Sequence, residues 1–322
     1  MAAIRSAENS FPILISIVIV TLNRVEDVLK AVKSVYDQTY RRFEIIVVDN
    51  GSNDDTIRRL AEDYPEVEVI GLNENIGASA GRNTGIRSAK GEIIFCLDSD
   101  AFLERNALEA IVCRFRRHPE VGIINSRILD PETGDVGTGP GWVYSEKQKA
   151  YQDVVFPSWS FSEGGVAIRR GVFDSVGLFW ERLSFGCEGQ DLGLRAWDAG
   201  FTIIYDPDSV VYHKALPLSR IDGATRDRQF LENTLSIYLA RYPWWMILLV
   251  APLKTGAVLL RGLRRGYLWT VLAALKSTAT NLPGLLRERA PVCRRTALNY
   301  LRLLREQGPL SWDLASWIRH KA

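Results

Sequence analysis

Two carboxylates two residues apart, Asp98 and Asp100, follow directly on the apolar run at residues 92–97. A buried parallel strand has such a run, and ligands of open α/β sheets bind at the carboxyl ends of strands. Carboxylates at that place can hold a hard divalent cation, and the cation can hold a diphosphate. Because Asp and Ser are also ordinary turn residues, the Asp98-Ser99-Asp100 triplet alone is equally consistent with a turn.

Polar side chains also follow two other apolar runs. The run at residues 13–20 ends in Thr21 and Asn23, and the run at residues 45–48 ends in Asp49-Asn50-Gly51-Ser52. Three strands that deliver polar groups to one edge of a sheet favour a nucleotide site in an α/β fold. Turn and cap chemistry is the alternative for Thr21, Asn23 and Asp49.

These motifs, in their order along the chain, resemble the inverting family 2 glycosyltransferases with a GT-A fold, of the rhamnosyltransferase-like type of bacterial cell-envelope synthesis. The resemblance also rests on residues 73–83, Gly164-Gly165, residues 188–195 and His213. It covers roughly the first 240 residues and is specific as a set. It implies an α/β fold of the nucleotide-diphospho-sugar transferase class, with a mostly parallel central sheet flanked by helices.

The resemblance implies a donor site for a UDP-, dTDP- or GDP-linked sugar at the strand ends. Arg82 can pair with a phosphate near a helix N-terminus, and a solvated surface arginine is the alternative. The implied donor contacts are Thr21, Asn23, Asp49, Asn50, Asn75, Gly77, Arg82, Asn83 and Asp98.

A divalent cation, Mn²⁺ or Mg²⁺, is also implied by the resemblance. Asp100 and His213 would be direct ligands, and Asp98 would contact the ribose or a metal-bound water. A single histidine is otherwise more often structural than a ligand. A shell of carboxylate oxygen and imidazole suits Mn²⁺ at least as well as Mg²⁺. The cation would offset the charge that grows on the departing diphosphate.

The segment Glu188-Gly189-Gln190-Asp191-Leu192 departs from the family pattern. Members of the family commonly have an aspartate as general base where this chain has Gly189, which cannot take a proton. Glu188 is our preferred base and Asp191 the second choice, because an i,i+4 pair with Arg195 would engage Asp191. Acids that only complement the helix dipole are the alternative.

An acceptor site is expected beside Gly164 and Gly165, because glycine leaves room for close approach to the backbone. Trp159 lies near this stretch and could form an aromatic face under a sugar ring. Packing in the core is the alternative for Trp159, as for most aromatic residues.

The expected elements follow strand–helix alternation, which predicts a mostly parallel sheet. Helices are predicted after Asn23 as an N-cap, up to Gly91 as a C-cap, and at residues 104–118, 188–200 and 222–241. Residues 126–160 lack clear periodicity and are interpreted as a loop excursion over the active site. Two regions are expected, a catalytic domain at 1–220 and a helical, basic C-terminal region at 221–322.

Charge is unevenly divided along the 322 residues. From Trp244 onward there are 13 basic and 3 acidic residues, against 27 basic and 35 acidic in the rest. Basic residues, tryptophans and short apolar helices together predict segments that lie in a membrane interface. A helical subdomain packed on the catalytic core is the alternative. No spanning helix is expected, because Pro252 and Lys254 interrupt the best candidate, 244–260.

The location expected from these features is the cytoplasm, peripheral at the inner face of the cell membrane. No secretory signal is evident, and four scattered cysteines match reduced thiols better than a metal or disulfide framework. Nucleic-acid binding is not expected, because no base-reading motif is identifiable.

The function expected is metal-dependent, inverting transfer of a sugar to a hydroxyl of a glycan or lipid-linked acceptor. A nucleotidyltransferase or a dinucleotide oxidoreductase would need a Gly-rich loop after the first strand, where Thr21-Leu22-Asn23 stands. A catalytically silent nucleotide-sugar-binding or scaffold protein with the same fold is the alternative that Gly189 favours.

Overall fold

A mixed sheet forms the centre of the protein in the computed structural model, which describes residues 12–136, 143–144, 146–183, 186–213 and 223–307. Within these residues the strand order is β3-β2-β1-β4-β8-β6-β9-β5, and β7 pairs with β9. The strands are β1 Ile15–Thr21, β2 Phe43–Asp49, β3 Glu68–Gly71, β4 Ile93–Asp98, β5 Ala101–Leu103, β6 Val121–Leu129, β7 Phe156–Pro157, β8 Gly165–Arg169 and β9 Thr202–His213.

Strands β3, β2, β1 and β4 run parallel, so their carboxyl ends meet at one edge. The register sets Thr21 opposite Asp49 and Val20 opposite Asp98. Strand β8 is antiparallel to both β4 and β6, which brings its first residue, Gly165, opposite Leu97. The residues that lead into β8 therefore arrive beside the acidic end of β4.

Helices cover both faces of the sheet. Their bounds are α1 Val25–Tyr36, α2 Thr56–Asp63, α3 Ala78–Ser88, α4 Ala107–Arg117, α5 Arg170–Val176, α6 Glu188–Asp198, α7 Gly223–Arg241, α8 Trp244–Arg265, α9 Leu268–Thr280, α10 Leu282–Arg287 and α11 Arg294–Gln307, and a 3₁₀ helix spans Glu146–Tyr151. In α1 the apolar residues recur at three- and four-residue spacing and are buried, which is why this segment is a helix on a sheet. The expected α/β fold with a helical C-terminal extension is confirmed.

Several expected boundaries are wrong for identifiable reasons. Asn23 is not the N-cap of α1; Arg24 takes that position, and Asn23 has a left-handed φ of 53°. Helix α3 ends at Ser88, and Gly91 is needed for close approach, since a Cβ there would lie 2.7 Å from the backbone nitrogen of Ser16.

Three further segments differ from the sequence interpretation. Helix α4 begins at Ala107 and not at residue 104, because β5 occupies Ala101–Leu103 just before it. Residues 126–129 continue β6 and pair with β9. Helix α7 is described from Gly223, so residue 222 and the expected domain boundary at 220/221 lie outside the described residues.

The C-terminal helices pack on the catalytic half through one shared hydrophobic cluster. Tyr205 and Leu194 from the sheet half contribute to the same cluster as Tyr242, Met246 and Tyr300 from the helices. An ion pair reinforces the contact, since Arg241 of α7 donates to Asp191 of α6 at 2.7 Å. The two regions of the sequence thus share a core.

Helix α8 runs unbroken through Pro252, which the sequence interpretation took for an interruption. Residues Trp244–Arg264, with a mean hydropathy of 1.6, form the one helix in the described part of the chain that is long and apolar enough to cross a membrane. Length and composition are shared by core helices, and Met246 and Val250 of this helix are buried against protein.

Candidate functional site

Two buried polar atoms at the sheet edge have no hydrogen-bond partner among the described residues. They are the hydroxyl Oγ1 of Thr21 and the Oδ2 atom of Asp49. These residues are 2% and 1% exposed and stand opposite each other at the ends of β1 and β2. An unpaired buried polar atom costs free energy, so a pair of them at a ligand edge indicates groups kept for a ligand. The other oxygen of Asp49 accepts from the backbone N–H groups of Gly51 and Ser52, which fixes the carboxylate.

A network of asparagines holds the loops around this edge. Asn50 donates to the Oδ1 atom of Asn75 at 2.9 Å and accepts from the N–H of Ile76 at 3.0 Å. Asn75 also accepts from the N–H of Gly77, whose φ of 89° favours glycine before α3. Asn50, Asn75 and Gly77 therefore shape the loop and present its backbone.

Asn23 and Asn83 are used inside the protein. Asn23 accepts from the N–H of Asn53 at 2.7 Å, tying two loops together. Asn83 is 1% exposed, donates to the carbonyl of Phe179 and to Glu181, and accepts from the N–H of Phe179. With its amide fully engaged, we no longer place Asn83 among the donor contacts, and we assign the Asn23 side chain to the loop.

Arg82 is buried at the centre of the site, which excludes a solvated surface arginine. It donates to the Oδ1 atom of Asp98 at 2.8 Å and lies 3.7 Å from the Oε1 atom of Glu188. Burial works against its charge, but Asp98 and Glu188 outweigh burial and raise the pKa of Arg82. The guanidinium links the acidic end of β4 to the start of α6.

The ligand atoms of Asp98, Asp100 and His213 lie within 4.8 Å of one another. The pairing of β5 with β9 explains this, since Ala101, next to Asp100, stands opposite His213. Two carboxylates and an imidazole are a donor set that fits a divalent cation. Asp100 also contacts Arg24, and although burial opposes it, His213 and Arg24 hold the pKa of Asp100 down at about 2.

Glu188 is the first residue of α6 and is 3% exposed. Its Oε2 atom is buried without a hydrogen-bond partner in the described part of the chain, which leaves one carboxylate oxygen available. Burial, then the neighbouring charge of Glu163, raises the pKa of Glu188, while Arg82 acts against that rise. Cys187, just before it, has a left-handed φ of 72°, a strained conformation that is typical of functional turns.

Asp191, the second choice for the base, is committed to structure. It is fully buried, and its two oxygens accept from Arg195 and Arg241, each at 2.7 Å. The expected i,i+4 pair with Arg195 is present. Because both oxygens are held, we correct the second choice: Asp191 joins α6 to α7 and is not free to receive a proton.

The three residues expected to form the acceptor site, Gly164, Gly165 and Trp159, do not all lie together in the structure. Gly164 lies against Asp98, since a Cβ there would be 2.8 Å from its Oδ2 atom, while Gly165 packs on Val211. Trp159 is 7% exposed in the shared hydrophobic cluster, with its ring 6.1 Å from that of Tyr300. We therefore remove Trp159 from the acceptor site; the alternative of core packing is correct.

Sequence reasoning missed three residues of this site. Glu163 accepts a hydrogen bond from the N–H of Gly189, Arg24 contacts Asp100, and Arg241 contacts Asp191. Arg24 stands in the loop after β1 among residues already singled out, so its place could have been found. Glu163 and Arg241 come from distant segments, and only the antiparallel entry of β8 and the packing of α7 bring them in.

The fold is that of the GT-A glycosyltransferases, with polar strand ends gathered at one edge of a mixed α/β sheet. The family model described as Glycosyl transferase family 2 matches residues 16–177, half of the chain. Glycosyltransferase AglE of Haloferax volcanii is 30% identical over 220 residues, which are 64% of this chain and 69% of that protein. The chain belongs to glycosyl transferase family 2.

One further relative and one solved structure are also similar to this chain. The N-acetylglucosaminyl-diphospho-decaprenol L-rhamnosyltransferase of Mycobacterium tuberculosis is 26% identical over 252 residues, 67% of this chain and 80% of that protein. The crystal structure of GalNAc-T7 with UDP, GalNAc and Mn²⁺ has a TM-score of 0.62 at 17% identity, covering 96% of this chain and 58% of that one. At that identity the likeness is one of fold.

Proposed function

We propose that this protein is a metal-dependent, inverting glycosyltransferase that moves a sugar from a nucleotide-diphosphate donor to a hydroxyl of a glycan or lipid-linked acceptor in cell-envelope polysaccharide synthesis. The observation that carries the proposal is the convergence of Asp98, Asp100 and His213 beside two buried atoms, on Thr21 and Asp49, that have no hydrogen-bond partner among the described residues. Support for the acceptor comes from the rhamnosyltransferase relative, whose name specifies a sugar linked through diphosphate to decaprenol.

The donor would lie along the carboxyl ends of β1, β2 and β4. The hydroxyl of Thr21 would donate or accept a hydrogen bond with the nucleoside, the carboxylate of Asp49 would accept one from it, and Arg82 would face the phosphates. Asp98, Asp100 and His213 would hold a divalent cation, Mn²⁺ or Mg²⁺, which supplies electrostatic stabilisation of the leaving diphosphate. The Mn²⁺ in the GalNAc-T7 structure supports this choice. UDP-, dTDP- and GDP-linked sugars are the candidate donors.

The acceptor hydroxyl would attack the anomeric carbon from the face opposite the diphosphate, so that one displacement inverts that centre. Glu188 would take the hydroxyl proton, because its Oε2 atom has no hydrogen-bond partner within the residues that the structure describes, and its raised pKa makes it a stronger base than an ordinary glutamate. Gly164 carries no side chain because the carboxylate of Asp98 fills that space, which keeps Asp98 close to the backbone before β8.

The membrane surface is the partner that we propose for helices α8 and α9. One face of α8 packs on protein, while Leu248, Leu263 and Trp269 on the outside are 77%, 65% and 81% exposed. Arg264 and Lys276 are exposed near this apolar surface. An apolar surface with basic residues fits the interface of an anionic bilayer. We therefore propose that the protein is cytoplasmic and peripheral at the inner membrane face, with a catalytic domain at residues 1–220 and a helical, basic, membrane-associated region at 221–322.

Release of nucleoside diphosphate tests the proposed function. UDP-, dTDP- and GDP-sugars would be tried with Mn²⁺, Mg²⁺ or EDTA, with membrane extract as the source of acceptor. We expect release from one donor that requires the metal, and its loss in Asp100→Asn. Asp174→Asn, an exposed carboxylate on α5, is the matched control and should keep full activity.

A catalytically silent binding or scaffold protein is the second candidate, and Gly189 is the observation that favours it. Tight nucleotide binding by calorimetry without release from any donor would support that candidate and contradict the enzyme. Determination of the anomeric configuration of the product by NMR tests inversion separately, because a retained configuration would contradict a single displacement.

A further inference from the structure

Gly189 has no space for the side chain that the family pattern commonly has there. A Cβ built on Gly189 would overlap the carbonyl oxygen of Phe161 and lie 2.8 Å from the Oε1 atom of Glu163. The Gly189 N–H donates a hydrogen bond to that same oxygen. A carboxylate therefore stands where residue 189 would carry one, although it comes from a segment 26 residues earlier.

The path of the chain explains how Glu163 reaches this place. Gly165 starts β8 opposite Leu97 of β4, so residues 162–164 pass directly beside the end of β4. The N–H of Ser162 donates to Asn125 on β6, and the N–H of Asp98 donates to the carbonyl of Gly164. Both sides of Glu163 are thus anchored, which fixes its backbone between β4 and α6.

Glu163 and Glu188 form a pair of carboxylates around one guanidinium. Glu188 lies 3.7 Å from Arg82 and is 3% exposed, whereas Glu163 is only partly buried. Burial raises the pKa of Glu163 and of Glu188, and the positive charge of Arg82 lowers both pKa values. The negative charge of Glu163 raises the pKa of Glu188 further. The carboxylate of Asp98 also raises the pKa of both glutamates. The thiol of Cys187 is a further titratable neighbour, and burial together with the charges of Glu188 and Glu163 raises its pKa.

We propose that Glu163 is a positioning residue of the transfer reaction: its carboxylate fills the place left by the missing side chain at Gly189 and holds Glu188 ready to take the acceptor proton. It acts in two ways. Its bond to the Gly189 N–H fixes the first turn of α6, on which Glu188 stands. Its negative charge beside Glu188 disfavours a second negative charge, so Glu188 binds a proton more strongly. The proposal rests on the proposed function, in which Glu188 is the base.

Glu163→Gln tests the proposal, because glutamine keeps an oxygen for the Gly189 N–H but removes the charge. We expect kcat to fall on the order of tenfold, with the KM for the donor unchanged, because Glu188 without the neighbouring negative charge is a weaker base. The acidic limb of kcat/KM for the acceptor should move to lower pH by roughly one unit, since a like charge has been removed. Asp174→Asn, which removes an exposed carboxylate, should leave kcat and the pH of the acidic limb unchanged.

Glu163→Asp is the conservative variant and should keep the acidic limb at the wild-type pH while lowering kcat. A purely structural Glu163 would instead give variants that differ in stability but share the wild-type pH limb. Wild-type kcat together with an unmoved limb in Glu163→Gln would overturn the proposal.

Urea unfolding against pH separates this proposal from the proposed function. A carboxyl whose pKa is raised on folding contributes stability that is present below its unfolded pKa and lost as pH rises through its folded pKa. The glutamine in Glu163→Gln cannot ionise, so the urea midpoint of this variant should rise relative to that of the wild type as the pH increases above the ordinary glutamate pKa of about 4.3. No wild-type turnover with any donor would reject the proposed function; a pH-independent difference between the two proteins would reject the placement of Glu163.

Discussion

Gly189 is the single residue whose environment explains the departure from the family pattern. Any side chain there meets the carbonyl of Phe161 and the carboxylate of Glu163. We therefore expect Gly189→Ala to lower the free energy of unfolding by about 1–3 kcal/mol, because the backbone must move to admit a methyl group. Urea denaturation measures this change.

Gly171→Ala is the matched control for that substitution. It also lies in a helix, α5, but a Cβ there meets no atom within 4 Å. Its stability should stay the same or rise by about 0.5–1 kcal/mol, since alanine is the better helix former. Equal stability of the two alanine variants would mean that position 189 is not packed as described.

Glu188 makes a second prediction at this scale, on the pH dependence of the rate. A base must be ionised to take a proton, and burial beside Glu163 raises the pKa of Glu188. The rate should therefore fall with decreasing pH well above the ordinary glutamate pKa of about 4.3. Glu188→Gln should lose at least about 100-fold in kcat, with nucleotide affinity retained. Turnover at the wild-type rate in that variant would exclude Glu188 as the base.

At the scale of helices and strands, the sequence predicts which residues lie together at the aligned ends of adjacent parallel strands. The ends of β1, β2 and β4 could be placed together because parallel neighbours align their carboxyl ends, so Thr21, Asp49 and Asp98 were found. Glu163 could not be found, because it depends on β8 entering the sheet antiparallel between β4 and β6. The residue pattern of a segment does not show which distant strand will pair with it in the sheet.

The sequence also does not determine where helices begin or which partner a polar side chain binds. Asn23 has the residue type of an N-cap, yet its amide binds the loop at Asn53 instead, because that loop passes within reach. Asp191 matches the family motif, yet Arg241 from α7 claims its second oxygen. In both cases a tertiary partner determines the role.

The ion pair between Asp191 and Arg241 gives the prediction at the scale of elements. Asp191 is fully buried and Arg241 is 7% exposed, so Arg241→Met leaves a buried carboxylate with Arg195 alone. We expect the free energy of unfolding to fall by roughly 3 kcal/mol, as when one partner of a buried pair is removed. Urea denaturation at neutral pH measures it.

Arg302→Met is the matched control, because Arg302 pairs with Glu306 on the surface of α11 at 78% side-chain exposure. Loss of such an exposed pair should cost at most about 1 kcal/mol. A similar small loss in Arg241→Met would show that the α6–α7 contact does not depend on this pair.

At the scale of the whole molecule, the C-terminal helices have an inner and an outer face. Packing on the catalytic core concerns the inner face, and the proposed contact with a membrane interface concerns the outer face. The inner face shares a hydrophobic cluster with the catalytic half, through Tyr242 and Tyr300 among others. The outer face leaves Leu248 and Trp269 exposed. Because the excess of basic residues lies after Trp244, the apolar outer face and the positive charge belong to one end of the chain. The proposed donor site and this exposed apolar surface lie on one packed unit, which would suit a lipid-linked acceptor.

Sedimentation with lipid vesicles tests that surface. The wild-type protein should bind vesicles of mixed phosphatidylglycerol and phosphatidylethanolamine, and bind phosphatidylcholine vesicles weakly, because anionic headgroups attract the basic helices. Leu248→Ser combined with Trp269→Ala should weaken binding at least about tenfold, since two exposed apolar side chains no longer enter the interface. Higher salt should weaken the wild-type interaction by screening it.

Val154→Ser, which removes a side chain that is 50% exposed on the catalytic half, should bind like wild type. Equal binding of the double variant and the Val154 control would place the membrane contact elsewhere.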